Sequence, residues 1–262
     1  VSERTLRIEL TPLDEQGPSR AEPPSVAFVP FPTTEKLRAR ELPGEKELRV
    51  AQLRVTIKTQ PLTISVRRAD ATLVQQLMFD SEAGTNAIAF ETAAPLLGLG
   101  EGGPQFDRRG AYYPLQNGSA VPSLATEGVR IMVPFLIGTE GWALFVAEPW
   151  GEFDLRGGQG VFHPRRGATP GRAGVLVMDA QDPADAMREF VRLMGAPVMP
   201  PKWALGYMQS HRTLDGRDQI LAEAKTFREK KLPCDAFIYL GTEFAPSGWN
   251  TKNGEFTWHP TN

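Results

Sequence analysis

The segment from residue 200 to residue 244 constrains the fold of this chain most, because its hydrophobic period changes twice there. A continuous apolar run over 203–208 is typical of a strand that is buried on both faces. Apolar residues then recur at helical spacing over 220–227, and the apolar run 236–240 predicts a second buried strand. Strand, helix and strand in this order predict a parallel βαβ unit.

One βαβ unit cannot bury both faces of its own sheet, so we expect it to begin a larger barrel or a doubly wound sheet. In such folds the functional groups lie at the carboxyl ends of the strands. Those ends are polar in this chain, with Gln-Ser-His-Arg-Thr at 209–213 and Gly-Thr-Glu-Phe at 241–244. These two segments are therefore the first place to look for ligand-binding residues.

Upstream of residue 180 the dominant hydrophobic period is two, which indicates strands. Apolar and polar residues alternate over 53–58 and again over 62–66, as in an antiparallel hairpin with one face in water. Further strands are predicted at 6–10, 87–90, 129–133, 142–146 and 175–178. Many short strands separated by glycine and proline predict a β-sandwich.

A helix and a stiff linker follow these strands. Asp182 is suited to the N-cap, Pro183 to the first helical position and Gly195 to the position after the last turn. The predicted apolar stripe of this helix consists of Met187, Phe190, Val191 and Met194. The prolines of 196–201 favour extended backbone, so we divide the chain into domains at 1–195 and 196–262.

The stretch 96–118 breaks the alternation, because glycine, charged and aromatic residues are dense there and no period holds. Long irregular loops are often functional, although Asp107 could also pair with Arg108 or Arg109 only to hold the loop, and both interpretations stay open. The run Gly-Leu-Gly-Glu-Gly-Gly at 98–103 is a poor match to a phosphate-binding loop, since no Lys-Ser or Lys-Thr follows it.

Composition excludes several classes of function. The net charge is -2 with basic and acidic residues interspersed, which favours neither nucleic acid nor a membrane surface as a partner. The single cysteine, Cys234, excludes an internal disulfide framework, and we expect it to be buried. The three histidines share no metal-ligand spacing, so no metal site is expected. No apolar run reaches the roughly 20 residues that span a bilayer.

Several short motifs occur in an order and spacing that resemble one known family. They are Pro200-Pro201-Lys202-Trp203-Ala204-Leu205-Gly206-Tyr207 with Gln209-Ser210, Leu232-Pro233-Cys234-Asp235-Ala236, Phe256-Thr257-Trp258 and, upstream, Gly98-Leu99-Gly100-Glu101, Asp107-Arg108-Arg109-Gly110 and Pro134-Phe135-Leu136-Ile137-Gly138. Over nearly its whole length the chain resembles the N-terminal part of glycoside hydrolase family 31, the α-glucosidase and α-xylosidase family.

The resemblance implies a multi-domain fold. A mutarotase-like antiparallel β-sandwich over 1–195 would precede the first βαβ unit of a truncated (β/α)8 TIM barrel over 196–262. It also implies retaining hydrolysis of α-glycosides by two Asp residues, which in this family come from later barrel strands, and a reaction that needs no cofactor. The 262 residues would then contain no catalytic residue, and we expect them to be inactive alone.

The resemblance also points to residues that would bind a sugar. Many members carry Asp-x-Asp on the second barrel strand, and these positions align with Leu240 and Thr242 of this chain. Glu243 could supply the missing carboxylate and Trp249 could stack on a sugar ring. In the sandwich, Asp107, Arg109 and Gln105 are the residues expected to reach over the barrel mouth. Glucoside, xyloside and galactoside substrates all stay open.

Two other interpretations remain. A β-sandwich with an aromatic, glycine-rich loop could be a non-catalytic carbohydrate-binding or scaffold module, and a different barrel enzyme is a third interpretation. Beside the carbohydrate substrate, the expected partner of 196–262 is the rest of a barrel in the same polypeptide, and a homo-oligomer is compatible with the sequence. The compartment is open, with a periplasmic or secreted location favoured over the cytoplasm.

Overall fold

The computed structural model describes residues 1–11, 13–14, 17–18, 27–80, 87–102, 106–116, 131–148, 150–165, 173–211 and 216–239 of the 262-residue chain. The chain divides into two compact units, Val1–Ala196 and Pro197–Asn262.

The first unit is built from antiparallel strands and one helix. In chain order they are β1 (Thr5–Leu10), β2 (Leu13–Asp14), β3 (Gly17–Pro18), β4 (Lys46–Val50), β5 (Leu53–Thr59), β6 (Leu62–Arg67), β7 (Leu73–Asp80), β8 (Ala87–Glu91), β9 (Leu96–Gly98), β10 (Tyr112–Pro114), β11 (Phe135–Gly138), β12 (Trp142–Val146), β13 (Gly151–Asp154), β14 (Gln159–Pro164), β15 (Ala173–Asp179) and α1 (Pro183–Met194). One sheet has the order β1-β15-β12-β11-β9 and the other β10-β13-β14-β8-β7-β6-β5-β4, while β2 and β3 pair with each other.

The two large sheets share one hydrophobic core. Val55 and Leu77 of the eight-stranded sheet and Leu144 and Val177 of the five-stranded sheet belong to the same buried cluster. In β5 buried residues alternate with more exposed ones, because only one face of the eight-stranded sheet meets the core. The predicted β-sandwich of antiparallel strands is thus observed as two sheets around an apolar layer, and the predicted hairpin is the pair β5–β6.

The five-stranded sheet is covered on its other face by α1. All residues of β11 and β12 are buried, which explains why these strands are continuous apolar runs rather than alternating ones. The second buried cluster contains Phe135, Phe145 and Leu193, and the Phe190 ring packs 4.6 Å from the Phe135 ring. The helix therefore closes this side of the unit.

The predicted ends of α1 are confirmed, whereas its predicted buried face is partly wrong. Asp182 caps the helix by accepting a hydrogen bond from the Asp185 amide at 2.8 Å. Of the predicted stripe, however, Met187 and Val191 are exposed, and the buried residues are Ala186, Glu189 and Leu193. The reason is that Glu189 finds hydrogen-bond partners inside: its carboxylate accepts from the hydroxyls of Ser2 and Thr5 and from the Arg192 guanidinium.

One predicted strand of this unit is wrong. Residues 129 and 130 lie outside the described part of the chain, and Ile131 forms only an isolated bridge with Glu101. Met132 and Val133 are not in a strand. The apolar run at 131–133 packs beside the glycine-rich segment instead of extending a sheet.

The second unit contains a parallel βαβ arrangement, as predicted. It consists of a short 3₁₀ helix (Lys202–Leu205), β16 (Met208–His211), α2 (Arg217–Glu229) and β17 (Ala236–Tyr239). β16 and β17 pair in parallel, with Met208 opposite Ala236. The prediction of one buried strand over 203–208 is wrong, because the first half of that run forms the 3₁₀ turn.

The apolar residues of this second unit are poorly covered. Trp203, Leu205 and Tyr207 are each more than half exposed, and Ile238 in β17 is 46% exposed. Cys234, by contrast, is buried as predicted, and its thiol donates to the Ala236 carbonyl. Several large apolar side chains exposed in one small unit are typical of a contact with further protein.

A largely buried ion pair joins the two sheets of the first unit. Arg68, just after β6, donates from Nε to Oδ1 of Asp179 at 2.8 Å, and from Nη2 to the Gly141 carbonyl at 2.6 Å. Asp179 ends β15 of the other sheet, and the side chains of Arg68 and Asp179 are only 16% and 10% exposed. The pair therefore joins the end of β6 in one sheet to the end of β15 in the other.

Replacing Arg68 with Ala should destabilise the first unit strongly, because Asp179 would keep its buried charge without a partner. We expect a loss of about 3 kcal/mol in the free energy of unfolding, measured by urea titration with circular dichroism. Arg38→Ala is the matched control, since Arg38 pairs with Glu35 on the surface, and it should cost less than about 1 kcal/mol. Equal losses for the two variants would contradict this role of the buried pair.

Candidate functional site

The glycine-rich segment 96–102 packs tightly against the neighbouring strand. Gly98 and Gly100 have φ angles of +105° and +79°. A Cβ atom would lie 2.3 Å from the Phe135 carbonyl oxygen at Gly98 and 2.0 Å from that of Ile131 at Gly100, so no other residue fits at either position. The two glycines therefore allow the backbone of this segment to lie close to the backbone at Ile131 and Phe135.

Backbone amides in this segment are already used. The Leu99 amide donates to the Phe135 carbonyl at 2.8 Å and the Glu101 amide to the Ile131 carbonyl at 2.9 Å. A phosphate-binding loop needs such amides pointing at the ligand. These hydrogen bonds argue against the phosphate-binding interpretation of the glycine run.

Arg108 organises the same segment from the other side. Its guanidinium donates to the carbonyl oxygens of Gly98 at 2.9 Å, Gly102 at 2.7 Å and Gly100 at 3.3 Å. The guanidinium carbon also lies 5.5 Å from the centre of the Tyr113 ring, which is buried. Because one guanidinium holds three carbonyl oxygens of the segment, the path of the loop is fixed. No periodicity or spacing in the sequence identifies this role of Arg108.

Asp107 and Arg109, on either side of Arg108 in the sequence, pair with each other. Arg109 Nη2 lies 2.8 Å from Asp107 Oδ2, and both side chains are about one-third exposed. Asp107 Oδ1 also accepts from the amides of Leu96 and Arg109, and Arg109 donates to the Ala93 carbonyl. These hydrogen bonds, the Arg109 guanidinium first among them, hold the pKa of Asp107 well below its usual range.

The structure thus brings together two of the six predicted substrate-binding residues, Asp107 and Arg109. Gln105, Thr242, Glu243 and Trp249 lie outside the described residues. Asp107 and Arg109 are preorganised and partly exposed, and a carboxylate beside a guanidinium offers both acceptors and donors to a hydroxyl-bearing ligand. Their assignment to substrate binding stays a prediction.

At the carboxyl edge of the second unit, His211 and Tyr239 are the last residues of the two parallel strands and stand opposite each other. Burial raises the pKa of the Tyr239 phenol above its ordinary value, and the nearby Glu223 and Cys234 add to the shift. This edge is where the ligand-binding groups of parallel sheets collect. The polar segments that continue both strands lie outside the described residues.

The described residues contain neither a metal-binding group nor a membrane-spanning helix. Within the part of the chain that the structure describes, no three His, Cys, Asp or Glu side chains group closely enough to hold a metal ion. Among those residues, too, no helix has the length and apolarity needed to cross a membrane.

Comparison with known proteins identifies relatives of both units. Residues 197–262 match the model of the glycosyl hydrolases family 31 TIM-barrel domain. The α-xylosidase of Saccharolobus solfataricus is 28% identical over 163 residues, which is 58% of this chain and 21% of that enzyme. Alpha-glucosidase 2 of Bacillus thermoamyloliquefaciens is 35% identical over 77 residues, or 29% of this chain and 10% of that enzyme.

Solved structures extend the similarity to the first unit. The family 31 dextranase of Flavobacterium johnsoniae superposes with a TM-score of 0.70 at 22% identity, over 90% of this chain and 30% of the dextranase. The cycloalternan-forming enzyme of Listeria monocytogenes gives a TM-score of 0.70 at 18% identity, over 98% of this chain and 25% of that enzyme. At these identities the likeness is one of fold. The chain is thus similar to family 31 glycoside hydrolases, in sequence over residues 197–262 and in fold over most of its length.

The chain spans only part of these relatives. It covers about a fifth of the α-xylosidase, a tenth of the α-glucosidase and less than a third of the dextranase. Each of these relatives is several times longer than the region that it shares with this chain. What the whole polypeptide does is therefore a matter for proposal.

The Asp107–Arg109 pair makes a testable prediction about pH. Because the pKa of Asp107 is lower in the folded than in the unfolded chain, its ionisation stabilises the fold above the ordinary value of 3.8, and this contribution is lost only as pH falls below that value. A carboxyl-detected NMR titration should show Asp107 still ionised at pH 3.8, and Arg109→Ala should raise its midpoint. An ordinary midpoint in the unaltered chain would refute this assignment.

Proposed function

We propose that this chain is the N-terminal portion of a retaining α-glycosidase. In this proposal the first unit is a mutarotase-like β-sandwich, and the second is the first βαβ unit of a (β/α)8 barrel. The observation that carries it is the match of residues 197–262 to the family 31 barrel domain directly after a β-sandwich that superposes on family 31 enzymes. The parallel pairing of β16 and β17 supports the barrel assignment.

The proposed reaction is hydrolysis with retention by two carboxylates. One attacks the anomeric carbon and forms a covalent glycosyl-enzyme, while the other protonates the leaving oxygen and then activates water. Retention requires the two carboxyl groups only about 5–5.5 Å apart, so that no water fits between nucleophile and sugar. We place this pair in the same polypeptide beyond residue 262, on later barrel strands.

The role of the present residues in that reaction is binding rather than chemistry. In the proposal Asp107 and Arg109 present a charged, preorganised pair to the sugar hydroxyls, and the hydrogen bonds of Arg108 position their loop. Thr242, Glu243 and Trp249 follow the second strand and contact the sugar at the carboxyl end of the barrel. Fixed polar groups of this kind orient a substrate for attack.

The proposed substrate class rests on the relatives together with one departure in the sequence. The relatives named above include an α-xylosidase, an α-glucosidase and a dextranase. The position where many family members carry a sugar-binding Asp is Thr242 in this chain, and Glu243 is the nearest carboxylate. We propose an α-linked glucoside, xyloside or galactoside, with Glu243 supplying that recognition.

The exposed apolar residues of the second unit support a larger barrel. Leu205, Tyr207 and Ile238 would be covered if further parallel strands and helices packed on β16 and β17. The need for further strands and helices to cover these residues supports the barrel directly.

Activity on aryl α-glycosides of glucose, xylose and galactose tests the proposal. The natural polypeptide that carries this sequence should hydrolyse at least one of them, and NMR should show the α-anomer as the first product. The 262-residue chain alone should give no turnover. Inversion by the natural polypeptide, or turnover by a 262-residue chain of verified mass, would refute the proposal.

In the same assay, Glu243→Gln in the natural polypeptide should raise KM, because an amide is a weaker acceptor for sugar hydroxyls than a carboxylate. The loss in kcat/KM is expected to be roughly tenfold, as for one charge-assisted hydrogen bond. Glu47→Gln, on the exposed edge strand β4, is the matched control and should leave KM unchanged. An unaltered KM in Glu243→Gln would remove this residue from the site.

A further inference from the structure

One edge of the eight-stranded sheet carries a cluster of aromatic and charged side chains that the proposed function does not use. The strands are β10, β13 and β14, which pair in that order. Two aromatic residues mark the cluster: Tyr112 at the start of β10 is 39% exposed and Trp150 just before β13 is 57% exposed. The charged residues between and beside them are Glu152, Asp154, Arg156 and Arg165, and His163 stands opposite Glu152 in the ladder.

These side chains lie on the outer face of the sheet. Phe153 is buried in the core, so its neighbours Glu152 and Asp154 point outward. A Cβ atom on Gly151 would lie 2.4 Å from the Phe162 ring, so position 151 faces inward and Trp150 faces outward with Glu152. Tyr112 stands directly opposite Asp154 in the ladder, which places both on the same face.

Each aromatic ring has an arginine over one face. The guanidinium carbon of Arg156 lies 5.3 Å from the centre of the Tyr112 ring, and that of Arg165 lies 5.8 Å from the centre of the Trp150 ring. Trp150 and Asp154 are four residues apart along the strand, so the backbone positions that carry the two aromatic side chains are separated by roughly 13 Å in that direction. Two rings at that distance can contact two parts of one extended ligand.

The polar groups between the rings are fixed and partly exposed. Arg156 donates to both carboxylate oxygens of Asp154, at 2.9 and 2.7 Å, and the Asp154 side chain remains 26% exposed. The Tyr112 hydroxyl donates to the Glu152 carboxylate. Hydrogen bonding to that carboxylate raises the pKa of Tyr112 to about 12, so the hydroxyl keeps its proton. Donors and acceptors are thus preorganised on a rigid sheet.

Charge and shape on this face narrow the class of ligand. Glu152 and Asp154 balance Arg156 and Arg165, so the face favours neither a polyanion nor a polycation. Across the ladder from Asp154 the row continues with three half-buried apolar residues, Val161, Ala89 and Met78. An uncharged chain with apolar faces and many hydroxyl groups fits such a surface best.

We propose that the outer face of β10–β13–β14 binds a neutral oligosaccharide, with Trp150 and Tyr112 stacking on its sugar rings. Sugar hydroxyls hydrogen-bond Glu152, Asp154 and the two arginines, and the apolar faces of the rings lie on the aromatic side chains. This surface contains neither Asp107 nor Arg109. The inference therefore stands whether or not the polypeptide hydrolyses α-glycosides, and its test requires no turnover.

The test is an NMR titration of the ¹⁵N-labelled 262-residue chain with maltoheptaose, cellohexaose and an anionic oligogalacturonate. The indole signal of Trp150, assigned by its absence in Trp150→Phe, should shift saturably with at least one neutral oligosaccharide. The indole signal of Trp142, which lies in the core, should not shift. Trp150→Ala and Tyr112→Ala should each weaken binding roughly tenfold, the size of one lost aromatic contact.

Trp203→Ala is the matched control, because Trp203 is 55% exposed and lies in the other compact unit, and it should leave the affinity unchanged. Three results would overturn the inference. They are the absence of a Trp150 shift with both neutral oligosaccharides, tighter binding of the anionic oligosaccharide, and an equal loss of affinity in Trp150→Ala and Trp203→Ala.

Discussion

The apolar layer between the two sheets is the constraint on which the first unit depends. Leu77, Leu144 and Val177 meet in it and are at most 2% exposed, and the alternation of each strand follows from which of its faces touches that layer. The Arg68–Asp179 pair adds a directional contact at the rim of the layer. Because the packed layer and the ion pair fix the strands, the sandwich can hold exposed polar groups at fixed distances, both around Asp107 and on the outer face of the eight-stranded sheet.

The second unit lacks such an apolar layer among its described residues. Its two parallel strands and one helix have no second layer among the described residues, so that no residue of α2 is buried and Tyr207 and Ile238 stay exposed. Parallel sheets occur almost only with both faces covered. Residues 197–262 match the model of a barrel domain, a fold in which such faces are covered by further strands and helices.

Much of the fold could be predicted from the sequence, because the hydrophobic period and the capping residues indicate which elements form and in what order. The hairpin β5–β6, the N-cap Asp182 and the parallel βαβ order follow from local patterns. The buried face of α1 could not be predicted, since Glu189 is stabilised by hydroxyls that are distant in sequence. For Asp107 the sequence leaves two interpretations open, a functional loop and a pair with Arg108 or Arg109, and the structure contains the pair with Arg109. The hydrogen bonds of Arg108 to three carbonyls depend on a loop path that no sequence pattern encodes.

Trapping the catalytic nucleophile would decide whether the natural polypeptide is a retaining glycosidase whose chemistry lies outside these two units. A fluorinated α-glycosyl fluoride leaves a stable glycosyl-enzyme in a retaining enzyme, and peptide mass mapping locates the labelled residue. We expect the natural polypeptide to carry the label on one Asp that lies outside residues 1–262. A label on any residue from 1 to 262, or hydrolysis of substrate without any covalent label, would contradict this mechanism.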